Sequence, residues 1–253
     1  MAEWRTSISK SASGSVRLRG YDLMELVGNL SFAQTIFLLM KGELPTEAEG
    51  KMMEAILVSS IDHGIAPPSA VAARTVFSGG NPLNAGVAAG VLTIGDAHGG
   101  AIEDAAHLFQ TRCTGEEDIP ELARKIVAEY RAEKKRLPGF GHRIHKKDPR
   151  TQRLLEVADE SGFHGPHLDL ALEMEKAINE ESSKAIPLNV DGAIAAIMTQ
   201  MGFDYRLGKG FFIIARTPGL VTHVFEEWQR EKPFRRLPEG SYEYDGPEDR
   251  DLT

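Results

Sequence analysis

Four short segments place ionisable side chains beside glycine where a helical pattern stops. They are Asp62-His63-Gly64, Ala97-His98-Gly99-Gly100, Phe140-Gly141-His142 and Asn189-Val190-Asp191-Gly192. A histidine beside glycine is ordinarily a loop residue with its own partners, so no single segment carries an assignment. Their recurrence does, because polar groups at helix ends can be aimed into one cleft, and helix N-termini there favour anions. Two imidazoles and one carboxylate suffice to move protons on both sides of a carbonyl reaction. Other chemistries lack their residues: there is no Gly-x-Ser-x-Gly elbow, P-loop, His-Glu-x-x-His run or paired cysteine set. His164 and His167 flank Gly165-Pro166 without a third ligand in view, which reads as a surface loop, and no metal site is expected.

The arginines divide by setting. Arg150 follows Asp148-Pro149 in a first helical turn, where a lone arginine is usually exposed. Arg216 lies inside the apolar run Phe211 to Thr217. A guanidinium buried without a partner is costly, so Arg216 should meet a carboxylate, which can belong to a ligand bound bidentately. Arg235 and Arg236 sit in a charged tail and read equally well as solvated.

The elements that must position these residues are nearly all helical. Thr6 to Ser9 and Val16 to Arg19 flank Ser11 to Ser15 and read as a small hairpin or an extended arm. Tyr21 to Val27 is a short amphipathic helical turn. Ser31 caps a helix carrying Phe32, Ile36 and Phe37, which ends at Gly42. Thr46, with Glu49 three residues on, starts the next. Pro67-Pro68-Ser69 opens an Ala-rich helix to about Phe77. Residues 84–94, nearly all small or apolar, predict a buried helix that ends at Gly95-Asp96. A helix resumes through Phe109. The charged stretch 116–136, with an apolar stripe, predicts a solvated helix. Leu137 to His142 breaks the pattern, and Asp148-Pro149 caps a helix to about Glu160. Further helices follow at 168–180, 193–201 and 211–228, and from Pro233 the tail is an extended arm. The total is about a dozen helices, almost no sheet, and small residues suited to close crossings.

Bulk properties limit the function classes. The net charge of −8 argues against a general nucleic-acid binder, though a local arginine cluster can still hold a small anion. Cys113 is the one cysteine, so no internal disulfide forms, which fits a reducing cytoplasm. The N-terminus has no apolar core for a signal peptide, and no window approaches the ~18 apolar residues of a membrane helix.

Pro138-Gly139-Phe140-Gly141-His142-Arg143 followed by Asp148-Pro149-Arg150 resembles the signature of citrate synthases. Arg19-Gly20-Tyr21-Asp22, Gly42-Glu43-Leu44-Pro45, Asp62-His63, His98-Gly99-Gly100-Ala101, Asn189-Val190-Asp191 and Ala215-Arg216-Thr217 also match, in family order, from roughly Ile8 to Arg236. The resemblance implies a mainly α fold with a large and a small mobile domain, and a tight homodimer. The large domain would comprise 1–110 and the returning helix and arm of 211–253, with 111–210 as the small one. His98 would hold the thioester oxygen, Asp191 would exchange a proton with the acetyl methyl, and His142 would serve the oxo-acid oxygen. His63, Arg150 and Arg216 would bind the oxaloacetate or citrate carboxylates. Arg236, in preference to Arg235, would come from the partner subunit. Pro138, Gly139, Phe140 and Gly141, with Arg143 and Lys146 or Lys147, would hold CoA as a thioester substrate, with no permanently bound cofactor.

Departures point to a subgroup. The chain is shorter than a typical citrate synthase. The spacing from His142 to Arg150 is one residue short, and Gly192 follows Asp191 where synthases usually carry an aromatic. Short length, Leu92 to Asp96 and Asn-Val-Asp-Gly are similar to citryl-CoA lyases and to the C-terminal module of ATP-citrate lyase. His98-Gly99-Gly100 looks synthase-like. The expected activity is cleavage of citryl-CoA, or a related 3-hydroxy-3-carboxyacyl-CoA, to acetyl-CoA and a 2-oxo acid. Synthase-type condensation is the alternative, and a non-catalytic CoA-thioester-binding subunit the rival from another class. Every version requires His98, His142 and Asp191 to converge on one cavity.

Overall fold

The computed structural model describes residues 4–141, 148–180 and 182–252. Among them the N-terminal sheet is an antiparallel meander of β1 (Ser9–Ala12), β2 (Ser15–Leu18) and β3 (Tyr21–Asp22), with Ser9 opposite Leu18 and Leu18 opposite Tyr21. The hairpin is present, and Tyr21-Asp22, read as the start of a helix, is its third strand instead. Asp22 still serves the helix, because its carboxylate accepts the Met24 amide at 2.9 Å and caps α1 (Leu23–Leu26).

α2 (Phe32–Lys41) and α3 (Glu47–Ser59) both begin with capping boxes, Ser31 with Gln34 and Thr46 with Glu49. α4 (Pro68–Ser78) and α5 (Leu83–Leu92) lie in backbone contact. A Cβ at Gly86 would sit 2.9 Å from the Ala73 carbonyl oxygen, and one at Gly90 would sit 2.8 Å from that of Ser69. Glycines one turn apart therefore let α5 lie against α4. The expectation of a buried helix over 84–94 holds on this face only, since Leu92 on the other side is 84% exposed. An all-apolar helix needs a covering surface, and the composition does not say which chain supplies it.

The remaining helices are α6 (Ala101–Arg112), α7 (Ile119–Ala132), α8 (Pro149–Glu160), α9 (Pro166–Glu180), α10 (Val190–Gln200) and, after a 3-10 turn at Tyr205–Leu207, α11 (Gly208–Arg230). α10 runs through the centre, with every residue from Gly192 to Thr199 buried against α6, α9 and α8. Phe203 meets Phe37 and Phe211 edge-on, each with ring centroids 5.1 Å apart, and ties α2 to the start of α11. A smaller apolar cluster of Ala73, Leu220 and Val224 joins α4 to α11, with the flank of α5 packed on it.

Next to that cluster lies a buried charge network. Arg74, 3% exposed, donates Nε to Glu227 at 2.7 Å and Nη1 to Glu226 at 2.8 Å. Glu227 also accepts Nε of Arg235 at 3.0 Å, and the Arg235 amide donates to Ser78 Oγ at 3.1 Å. Sharing one carboxylate between two guanidiniums offsets the desolvation that a lone buried charge would suffer. It also fixes the root of the tail, which then runs exposed and without helix or strand through 252, the extended arm that its composition predicts.

Candidate active site

The entry to α10 is built from two strands of loop laced together. Asn189 caps the helix, accepting the Gly192 amide at 3.0 Å, while its side-chain amide donates to the Gly141 carbonyl at 2.9 Å. The Asn189 amide donates to the Gly139 carbonyl at 3.0 Å, and the Gly141 amide donates to that of Pro187 at 2.7 Å. The loop carrying Pro138, Gly139, Phe140 and Gly141 is thereby fixed on the segment that presents Asp191. Glycine at 192 follows from this contact, because a Cβ there would lie 2.3 Å from the Gly139 carbonyl oxygen. Asp191 sits half-buried in the first turn of α10.

His98 occupies the tight turn before α6. Its amide donates to the Gly95 carbonyl at 2.9 Å, and the Gly95 amide donates back at 3.1 Å. The ring packs edge-on against Phe212 at 5.4 Å between centroids, and its Nε2 lies 2.8 Å from Oγ of Ser69, a fully buried residue of α4. Gly99 has φ +91°, and a Cβ on it would lie 2.6 Å from the Phe212 ring. Burial pushes the His98 imidazole below its ordinary 6.5, and the positive charges of Arg216 and His63 push it the same way. The ring is therefore neutral near pH 7.

α11 supplies Arg216, buried at 3% exposure, which donates Nε to the Ser60 carbonyl at 3.0 Å and lies 4.8 Å over the Phe212 ring. The direct contacts are thus a carbonyl and a ring where a carboxylate was expected. The carboxylates of Asp62 and Asp191 and the guanidinium of Arg150 act on it at longer range. Arg150 folds back onto Asp148, donating Nε and Nη2 at 3.2 and 3.0 Å. Asp148 is 1% exposed and also accepts the Val190 amide at 3.4 Å, so one carboxylate ties the start of α8 to the start of α10. Burial works against that charge, but the hydrogen bonds from Arg150 outweigh it and hold the carboxyl below its ordinary range.

His63, His98, Arg150, Asp191 and Arg216 therefore share one region, coupled through Arg216 and His98. Arg236 does not join them, lying on the exposed arm with its guanidinium 4.5 Å over the Phe234 ring. Arg235 is committed to Glu227 of its own chain. His142, Arg143 and Lys146 lie outside the described residues.

A cavity of about 860 Å³ is lined in part by Ala101, Phe140 and Asn189, which are close in sequence to His98, Gly141 and Asp191. Tyr130, Ile178 and Ile186 give it apolar walls, and Arg131, Lys134, Lys135 and Arg136 a basic rim. Sequence reasoning placed these cations on a solvated helix and missed them. The available signal was four cations within six residues directly before Leu137-Pro138. Ser69 was also missed, having been read only as part of a helix start. Among the described residues no group of three histidine, cysteine, aspartate or glutamate side chains is placed to hold a metal ion, and no helix is long and apolar enough to cross a membrane.

The parts suit an elongated ligand with an anionic, partly apolar tail and a carbonyl head. The family described as citrate synthase, C-terminal domain, matches residues 47–237. The structure of a citryl-CoA lyase from Hydrogenobacter thermophilus superposes with TM-score 0.93 at 54% identity, covering 100% of this chain and 98% of that one. An ATP citrate lyase from Methanothrix soehngenii, solved with citrate and coenzyme A, superposes with TM-score 0.82 at 26% identity, over 98% of this chain and 42% of that one. ATP-citrate synthase beta chain protein 1 of Arabidopsis thaliana is 29% identical over 245 residues, which are 88% of this chain and 37% of that protein. The chain thus spans little more than a third of the length of that curated relative.

Proposed function

The chain belongs to the citrate synthase family, and from that premise we propose that it cleaves citryl-CoA to acetyl-CoA and oxaloacetate. The observation that carries this reading is the full-length likeness to a citryl-CoA lyase at 54% identity.

In the proposed reaction His142 removes the proton from the tertiary hydroxyl of citryl-CoA. The carbinol carbon becomes the ketone of oxaloacetate as its bond to the CoA-bearing methylene breaks. The electron pair passes into the thioester enolate, whose oxygen accepts a hydrogen bond from neutral His98. Asp191, entering as the carboxylic acid, gives its proton to the methylene carbon and completes acetyl-CoA. The proton held by His142 then restores the starting state. Nε2 of His98 lies 2.8 Å from the Ser69 hydroxyl; in the proposed reaction that hydroxyl donates to Nε2, which leaves the imidazole proton on Nδ1 for the enolate oxygen. His63, Arg150 and Arg216 hold the oxaloacetate carboxylates. The 138–141 loop and the basic rim take the CoA phosphates, with Arg143 and Lys146 added to that loop. CoA is consumed and released as a thioester substrate, and no resident cofactor takes part.

The domain division follows 1–110 with 211–253 against 111–210, with α10 on α6 as the seam, and closure across it would exclude water. A homodimer completes the site, Arg236 crossing from the second copy. The uncovered apolar face of α5 and the exposed Phe234 and Leu237 of the arm support this assembly. The setting would be the cytoplasm.

The test supplies citryl-CoA and follows oxaloacetate by NADH consumption with malate dehydrogenase, then supplies acetyl-CoA plus oxaloacetate and follows free CoA thiol. Cleavage without thiol release is the expected result. Thiol release from the second pair would instead establish the synthase alternative. CoA-thioester binding with no turnover in either assay would leave only the binding-subunit reading.

A further inference from the structure

His63 is exposed on the loop between α3 and α4, and that loop is held against α11. Arg216, Gly219 and His223 lie at i, i+3 and i+7, on one face of that helix. Three consecutive loop residues run along the same face. The Ser60 carbonyl accepts Nε of Arg216 at 3.0 Å. The Ile61 carbonyl oxygen lies 2.4 Å from where a Cβ on Gly219 would be, so only glycine permits the approach. Asp62 Oδ1 lies 2.9 Å from Nε2 of His223. The other oxygen of Asp62 accepts the Gly64 amide at 2.9 Å, so one carboxylate grips the chain on both sides of His63. Burial opposes the Asp62 charge, yet the Gly64 amide and His223 hold the group below its ordinary range.

We propose that Asp62 and His223 are positioning residues that orient His63 from α11, and that their pairing sets the affinity of the site for the dicarboxylate half of the substrate. The inference rests on the functional reading above, in which His63 binds that half. In this arrangement both act through His63 rather than on the substrate. Because Arg216 springs from the same helix face, α11 aligns two carboxylate-binding groups against each other. The half of the site that holds CoA lies on other elements and is independent of the pair.

The test uses the full chain and calorimetric titration with oxaloacetate and, separately, with CoA. H223L should weaken oxaloacetate binding about tenfold, the loss of one charge-assisted hydrogen bond, with CoA affinity unchanged. H223Q, which keeps a donor at that position, should return to within about twofold of wild type. H63A should weaken oxaloacetate binding too, and H63A/H223L should be no weaker than H63A, since His223 acts through His63. Equal losses for both ligands, a silent H223L, no rescue by H223Q, or additive losses in the double variant would each overturn the proposal. A weak H63A beside a silent H223L would overturn it while leaving the functional reading intact. Failure of wild type to bind oxaloacetate at all would sink that reading itself. If H223L does not fold, D62N is measured on the same two ligands, and a selective loss for oxaloacetate is again required.

Discussion

At the scale of single residues, the proposed chemistry depends on two protonation states. Asp191→Ala should lower kcat by about 10²- to 10⁴-fold, the range for loss of a general acid–base group, with CoA binding spared. Titration calorimetry beside steady-state rates checks both halves. His98 must stay neutral, and its depressed titration has a stability consequence. The unfolded ring binds a proton near its ordinary 6.5 while the folded ring does so only at lower pH. Stability therefore falls as pH drops below that value and is flat above it. Urea midpoints between pH 7.5 and 5 should show this acid slope, and His98→Gln should flatten it. Ser69→Ala frees the ring from its partner and should reduce kcat about tenfold, the scale of one hydrogen bond. Sequence placed His98 and Asp191 correctly at glycine-flanked helix starts because a cap and a break are local features. Ser69, His223 and Arg74 gave no such sign, since their partners are 29, 161 and 153 positions away.

At the scale of elements, the capping boxes at Ser31 and Thr46 and the Asp148-Pro149 start were legible because each is encoded within four residues. The 138–141 loop was legible as a break, but its attachment to the start of α10 was not. Gly192 carries that attachment. Gly192→Phe would drive a ring into the Gly139 carbonyl and should displace the loop, cost about 1–3 kcal/mol by overpacking, and raise the KM for citryl-CoA. Denaturant titration and initial rates measure the two effects. The aromatic found after the aspartate in synthases is thus incompatible with the loop path here. The charged end of α7 misled the reading in the opposite direction. Arg131 at its end and Lys134, Lys135 and Arg136 just past it do face water, yet they also border a cavity whose other walls include α9 and the 186–189 segment.

At the scale of the whole molecule, the mainly α architecture and the order of its helices could be read from periodicity, whereas the surface that each apolar stripe covers could not. α5 is the example, apolar on both sides and packed on one. A dimer should appear by sedimentation, and its shared sites have a specific signature. Arg236→Ala and Asp191→Ala chains, each inactive alone, should recover about a quarter of the wild-type rate when refolded together in equal amounts. Half the dimers are then hybrids, and one of the two sites in each is intact. No recovery would place Arg236 outside the partner's site. The arm that carries Arg236 is rooted in the Arg74–Glu227–Arg235 network, which has an evolutionary consequence. Arg74 and Glu227 are both enclosed, and losing either leaves the other only a partly open partner, Glu226 for Arg74 and Arg235 for Glu227, so related sequences should exchange the two together or not at all. Arg235 reaches the same carboxylate from a partly open position, with 33% of its side chain exposed, and can drift alone. Covariation at this root should therefore follow burial rather than distance from the chemistry.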